Sequence, residues 1–273
     1  MKGSGPGLLQ GGLAALLLGA VLFGPAAAQM PPAAGHLARI EAADAMRVCI
    51  WPDYYGITYR DPRTQALSGV DIDLARELAQ ELGVRAQFID SSFATLVDDL
   101  LADRCDIAMF AVGVTPARQA RLRFSSPTLA SDIYAITTRS NRRIHSWADI
   151  DKPGTVVAVA KGTLHETVMR EKLRFARLLV LDTPFAREQE VEAGRADVFM
   201  TDYPYSRRFL VNADWARLIS PPAPYHITPY AYAVAPGDPA WLARVNRFVR
   251  DIKQDGRLRR AAARYHLEGI VAP

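Results

Sequence analysis

Short continuous apolar runs alternate along this chain with segments whose apolar residues recur every three or four positions. Met46-Arg-Val-Cys-Ile-Trp51 reads as a first strand, and Pro52 to Gly69 as a loop with turn signals at Asp61-Pro62 and Ser68-Gly69. From Val70 to Leu82 the apolar positions Ile72, Leu74, Leu78 and Leu82 fall on one helical face, and Gly83 stops the helix. Val84 to Ile89 reads as a strand, and Ser92 as the cap of a helix through Leu101. A buried-looking strand, Asp106-Ile-Ala-Met-Phe-Ala-Val112, follows.

The second half repeats the plan: strand 155–160, helix 164–173, strand 178–181, helix 186–193 and strand 197–201. Two fragments match by residue. Asp90-Ser-Ser-Phe-Ala94 parallels Asp182-Thr-Pro-Phe-Ala186, and Ala102-Asp-Arg-Cys-Asp106 parallels Ala193-Gly-Arg-Ala-Asp197. Strands alternating with helices predict parallel sheets, so the pattern predicts two related α/β lobes. The tail adds a strand at 229–235 and helices at 241–253 and 256–265. A chain that leaves the first lobe and later returns makes two connections, placed near 128–137 and 223–231, and such a pair can serve as a hinge.

Ahead of the first strand lies a different pattern. Lys2, the apolar Gly-broken run Leu8 to Phe23, and Ala26-Ala-Ala28 have the order of a secretory signal with cleavage near Ala28. The run is too short and interrupted for a membrane anchor, and residues 29–44, rich in Ala and Pro, read as a loose lead. The full chain has ordinary globular composition, 49% hydrophobic and 23% charged. Its formal charge of +4 drops by one when Lys2 leaves, too mild a balance to argue for nucleic acid. Two cysteines, Cys49 and Cys105, sit at strands expected to be sheet neighbours. Export permits a bridge between them, and two buried thiols are the alternative. Two Cys without a nearby His pair give no metal site, and no motif calls for a cofactor.

The chemistry gathers at strand ends, where open α/β sheets bind their ligands. Arg118 follows the strand ending at Val112 and the turn Gly113-Val-Thr-Pro-Ala117; Asp202 follows the strand 197–201. A guanidinium fork fits a carboxylate with two parallel hydrogen bonds, and a carboxylate suits an ammonium. A ligand carrying both charges, such as a free amino acid, fits between them. For Arg118 the competing role is a surface ion pair; for Asp202 it is the N-cap of a helix starting at Pro204. Thr163, after strand 155–160, is placed to cap a helix whose N-terminus favours an anion. Trp51, Tyr54, Tyr55 and Tyr59 follow the first strand, and Phe93 opens the next helix. Such rings sandwich ligand side chains and as often fill cores. His165 lies beside the same strand ends, without the Ser or Cys neighbour of a triad. No HExxH, nucleophile elbow, phosphate loop or CxxC occurs.

These residues resemble the family 3 extracellular solute-binding proteins, the periplasmic amino-acid receptors of ABC transporters. The resemblance spans about residues 45–266 and rests on Gly69-Val-Asp-Ile-Asp-Leu-Ala75, Thr115-Pro-Ala-Arg118 with Phe124-Ser-Ser-Pro127, Gly162-Thr163, and Gly194-Arg-Ala-Asp197 with Asp202. It implies a two-lobed fold in which lobe 1 is formed by 45–130 and 228–273 and lobe 2 by 131–227. It also implies a monomer delivering its ligand to an inner-membrane permease. Arg118 would take the α-carboxylate and Asp202 the α-amino group. Tyr54 and Phe93 fall where the family's stacking rings lie, Ala111 and Gly113 at the strand end beside them, and Trp51 and His165 at the side-chain pocket. Gly113 stands where many members have Ser or Thr. Trp51 stands where relatives that bind cationic amino acids carry Asp, which argues against a cationic ligand. Two other readings share the fold. Periplasmic cyclohexadienyl dehydratases place a catalytic Glu shortly after the equivalent of Asp202, where this chain has Tyr203-Pro-Tyr-Ser206. Proteins found with quinoprotein dehydrogenases resemble it in Arg47-Val-Cys49 and Arg104-Cys-Asp106.

Overall fold

The chain enters its first sheet through a helix, α1 (His36–Ala43), where the sequence reads as a loose lead. Two contacts dock it: Ile40 is buried, and both the backbone N–H and the ring Nδ1 of His36 meet Asp238 Oδ2, at 2.7 and 3.0 Å. A computed structural model provides these coordinates and describes residues 35–273 apart from Pro184, together with four isolated positions near the start. The expected signal segment and its cleavage site otherwise lie outside the described residues. No described helix is long and apolar enough to cross a membrane.

After α1 come β1 (Ala45–Ile50) and three short strands, β2 (Asp53–Tyr54), β3 (Thr58–Arg60) and β4 (Leu67–Ser68). These three pair antiparallel into a small sheet inside the segment that reads as a loop. Turn residues hid it: two-residue strands carry no periodicity. Then follow α2 (Val70–Glu81), β5 (Arg85–Asp90), α3 (Leu96–Leu101) and β6 (Ile107–Gly113). Helix α3 begins later than its sequence predicts. Ser92 closes a turn instead, its Oγ accepting from Thr95 N at 3.2 Å, and Thr95 stands at the N-cap. Next are α4 (Pro116–Gln119), β7 (Arg123–Phe124) and β8 (Leu129–Ser131). The second sheet draws on β9 (Ile133–Thr138), β10 (Val156–Ala160), β11 (Arg177–Leu181), β12 (Val198–Asp202) and β13 (Ala216–Ile219), with helices α5 (Leu164–Lys172), α6 (Ala186–Glu192) and α7 (Tyr203–Asn212). The chain returns as β14 (Thr228–Val234) and closes with α8 (Pro239–Gln254) and α9 (Arg257–Arg264).

The protein is an α/β structure of two lobes, each a sheet flanked by helices. One sheet runs β5-β1-β6-β14-β7 with β8 added on β14; the other runs β11-β10-β12-β9-β13. The two share a plan. Strands β5, β1 and β6 are parallel, as are β11, β10 and β12, and each trio is flanked by an antiparallel strand, β14 or β9. Central strands β6 and β12 are buried along their whole length, which is why they read as unbroken apolar runs. Helix α2 buries Val70, Ile72, Leu74 and Leu78 against the first sheet and places Asp71 and Asp73 in its first turn. Trp241 of α8 is fully buried, and its indole N–H donates to Asp106 O at 2.7 Å. Cys49 and Cys105 form a disulfide with Cα atoms 5.6 Å apart, resolving the two alternatives.

Asp132 alone separates β8 of the first sheet from β9 of the second. Its carboxylate accepts from Ile133 N at 2.7 Å and, on the returning connection, from Tyr225 N at 2.8 Å and His226 N at 2.7 Å. Both connections between the sheets are thereby tied to one side chain.

Candidate functional site

Strand ends from the two sheets face each other across a cavity. All nine binding candidates read from the sequence line it: Trp51, Tyr54, Phe93, Ala111, Gly113, Arg118, Thr163, His165 and Asp202. Helix α4 begins at Pro116, with Thr115 as N-cap accepting from Arg118 N at 3.3 Å, and this short turn swings Arg118 back under the strand end. Arg118 is 8% exposed and is no surface ion pair. Its Nη1 donates to Gly113 O at 2.9 Å and its Nη2 to Gly162 O in the other lobe at 3.0 Å. The guanidinium also lies over the Phe93 ring, 5.5 Å from its centroid. Burial pulls its pKa down to about 10, so it remains a cation at neutral pH.

Asp202 takes the capping role and also lines the cavity. Its Oδ1 caps α7 by accepting from Tyr205 N at 3.2 Å. Its Oδ2 accepts from the Tyr54 hydroxyl, across the lobes, and from the Tyr230 hydroxyl at 2.8 Å. Burial raises the Asp202 pKa, and the phenol and backbone donors work against that rise. The same burial, with the carboxylate beside them, pushes Tyr54 and Tyr230 well above the ordinary phenol range, so both stay protonated as donors.

Thr163 caps α5, accepting from Glu166 N at 3.4 Å and donating to Ala160 O at 2.7 Å. Glu166 returns to take the Gly162 N–H at 2.7 Å, so the chain itself supplies an anion at this helix start. Gly162 has a positive φ of 74°, and a Cβ there would sit 2.5 Å from Ala94 Cα, a distance only glycine tolerates. This is where the lobes meet backbone to backbone. Gly113 is confined differently: a Cβ would lie 3.3 Å from Thr228 Cγ2 and 3.5 Å from Arg118 Nη1. His165 is 8% exposed, and neither ring nitrogen has a hydrogen-bond partner among the described residues. Burial, with the nearby Arg187 and then Arg118, pulls its pKa down to about 3 and keeps the ring neutral.

Aromatic rings form the collar between these charges. Trp51 stacks on Tyr205 of the other lobe at 6.4 Å and meets Phe93 edge-on at 5.3 Å. Tyr54 and Phe93 are 5.9 Å apart. Tyr55 and Tyr59 pair with each other at 4.7 Å outside the cavity lining. Sequence reasoning missed Arg187, Tyr205 and Tyr230, which also line the cavity. Arg187 lies in the first turn of α6, where a charged residue gives no signal of burial, yet it is 5% exposed and paired to Glu188 at 2.7 Å. Tyr230 lies on β14, a strand the sequence predicts at 229–235 without pointing to the cavity.

A cleft between two α/β lobes, with a guanidinium and a carboxylate at matching strand ends, defines a two-lobed ligand-binding protein. The sequence matches the family described as bacterial extracellular solute-binding proteins, family 3, over residues 46–268, and the chain belongs to that family. Cyclohexadienyl dehydratase of Pseudomonas aeruginosa (strain PAO1) is 30% identical over 235 residues, 86% of this chain and 87% of that protein. A probable amino-acid ABC transporter-binding protein of Haemophilus influenzae is 24% identical, covering 90% of this chain and 92% of its own. Among solved structures, the ancestral amino acid-binding protein AncCDT-1, described as a precursor of cyclohexadienyl dehydratase, aligns with a TM-score of 0.77 and 29% identity over 84% of this chain and 98% of its own.

Proposed function

We propose that the protein captures a free α-amino acid in the cleft between its lobes and delivers it, in the periplasm, to an inner-membrane ABC permease. The observation that carries this reading is the pairing of buried Arg118 and Asp202 on one cavity, each from a corresponding strand end. A zwitterion is the partner that lets both charges stay buried, its carboxylate on Arg118 and its ammonium on Asp202. The lobes are the parts that move: 45–130 with 228–273 against 131–227, about the crossovers at Asp132 and near Tyr225. Arg118 to Gly162 and Tyr54 to Asp202 are contacts between lobes and belong to the closed form. A ligand that adds contacts from both lobes favours that form over an open one. The protein works as a monomer, without metal or cofactor.

The similarity to a dehydratase favours a second reading, an enzyme acting on a cyclohexadienyl acid in the same cleft. Against it, the four residues after Asp202 hold no carboxylic acid to protonate a leaving group. Calorimetry with the proteinogenic amino acids, and absorbance assays with prephenate and arogenate, separate the two. Saturable amino-acid binding without turnover supports capture; turnover of either cyclohexadienyl acid overturns it.

A further inference from the structure

A second cavity adjoins the one around Arg118, and Trp51, Phe93, Thr163, Arg187 and Tyr205 belong to both walls. Tyr205 spans the junction. Its backbone N–H donates to Asp202 Oδ1 at 3.2 Å, and its hydroxyl donates to Glu188 Oε1 at 2.8 Å. Two buried carboxylates therefore stand one tyrosine apart, one in each compartment. Glu188 is 5% exposed, and its Oε2 is shut off from solvent with no hydrogen-bond partner among the described residues.

The charges of the outer compartment cancel. Arg187 Nε donates to Glu188 Oε1 at 2.7 Å and its Nη1 to Met200 O at 2.9 Å, with the Phe199 and Tyr205 rings at 5.2 and 4.7 Å from the guanidinium. Lys161 and Asp182 pair at 3.8 Å on the exposed rim. A cationic side chain entering here meets the Arg187 guanidinium, and an acidic one meets Glu188. An aliphatic one leaves Glu188 Oε2 unpaired in a dry wall, which is costly. A neutral N–H donor pairs that oxygen and adds no charge. Arg187 also reaches the inner wall, but its charge is already paired with Glu188 at 2.7 Å, which leaves Arg118 against Asp202 there.

Taking Arg118 and Asp202 as the anchors of the α-carboxylate and α-ammonium, we infer that the cleft selects an amino acid with a long uncharged side chain ending in a carboxamide or ureido group, which donates a hydrogen bond to Glu188. The collar of Trp51, Phe93 and Tyr205 lies along the aliphatic part of that chain.

The test is calorimetry on the purified protein with L-glutamine and L-citrulline against L-glutamate, L-arginine and L-norleucine. At least one of the first two binds tenfold or more tighter than each of the other three. In Glu188→Gln, Arg187 loses its counter-ion, and L-glutamate gains at least tenfold relative to L-glutamine. Circular dichroism and a thermal melt check that the variant folds; if it does not, the wild-type ranking decides. Norleucine or arginine binding as tightly as glutamine and citrulline, with Arg118→Ala weakening them all, leaves the anchors standing and overturns this selectivity. Undiminished binding by Arg118→Ala overturns the anchor reading instead, and no binding by any of the five overturns the selectivity while the wider amino-acid panel decides the anchors.

Discussion

Replacing Arg118 by alanine removes a buried cation that holds one carbonyl in each lobe, Gly113 O at 2.9 Å and Gly162 O at 3.0 Å. Two effects follow, and they differ in size. Stability changes little on balance: hydrogen bonds from a charged group contribute about 1.5–3 kcal/mol each, and removing the buried guanidinium relieves its desolvation. Binding changes more, because a ligand carboxylate drawn into the cleft then has no counter-ion. Breaking a buried pair by removing one partner costs about 3–5 kcal/mol. At 1.4 kcal/mol per decade this is roughly two to three and a half decades in Kd. With a pKa near 10 the guanidinium is charged throughout pH 6–8, so the loss is the same across that range. The assay is calorimetry with the tightest amino acid and with its α-carboxamide, which lacks the carboxylate charge. Wild-type protein discriminates strongly between the two, and Arg118→Ala discriminates weakly. A variant within threefold of wild type, or one that still separates acid from amide as well as wild type does, refutes the assignment.

Tyr54→Phe keeps the ring against Trp51 and Phe93 but removes the hydroxyl that Tyr54 donates to Asp202 across the lobes. Ligand affinity should fall by about tenfold, in line with about 1.5 kcal/mol for a hydrogen bond to a charged group; unchanged affinity in calorimetry contradicts the cross-lobe role. Burial raises the Asp71 pKa to about 7, so this group's contribution to stability is fully present below its unfolded value near 3.8 and is lost as pH rises through 7. Asp71→Asn should therefore gain up to about 4 kcal/mol relative to wild type between pH 4 and pH 8 in denaturant titrations; parallel pH profiles for the two proteins sink the idea. His165 acts in the opposite sense. Its pKa is lowered to about 3, so the stability it contributes above pH 6.5 is lost as pH falls, and His165→Gln should flatten the acid limb of the melting profile. The Cys49–Cys105 bridge closes a loop with a sequence separation of 56. Its reduction should lower unfolding free energy by about 4 kcal/mol in the chain-entropy account, measured as a fall in denaturant midpoint, and an unmoved midpoint speaks against it.

What the sequence made legible divides along physical lines. Helix α2 was readable because one buried face imposes a period, and strands β6 and β12 because burial along their whole length makes them unbroken apolar runs. The pairing of Arg118 with Asp202 was readable because the two halves repeat, so one strand end pointed to the other. The small β2-β3-β4 sheet was not, since its strands are two or three residues long and held by pairing alone. Helix α1 was hidden for another reason: its docking depends on Asp238, some two hundred residues away in sequence. Arg187 and Glu188 did not stand out on their helix, because a charge pair looks the same in sequence whether water or two aromatic rings surround it. Tyr205 was seen only as part of a stretch without Glu. Its place between two carboxylates comes from the lobes meeting, and no local pattern records that.

Asp132 gives the two connections between the sheets a shared mechanical fate. Two independent strands of chain would let the lobes twist, slide and swing in several directions. One carboxylate bound to the backbone of both gives them a common point, so that in the proposed closing of the lobes they would turn together, as a door on two pins turns about a single line. In that proposed motion Gly162 would be the stop: without a side chain it comes against Ala94, and any Cβ there would hold the cleft ajar.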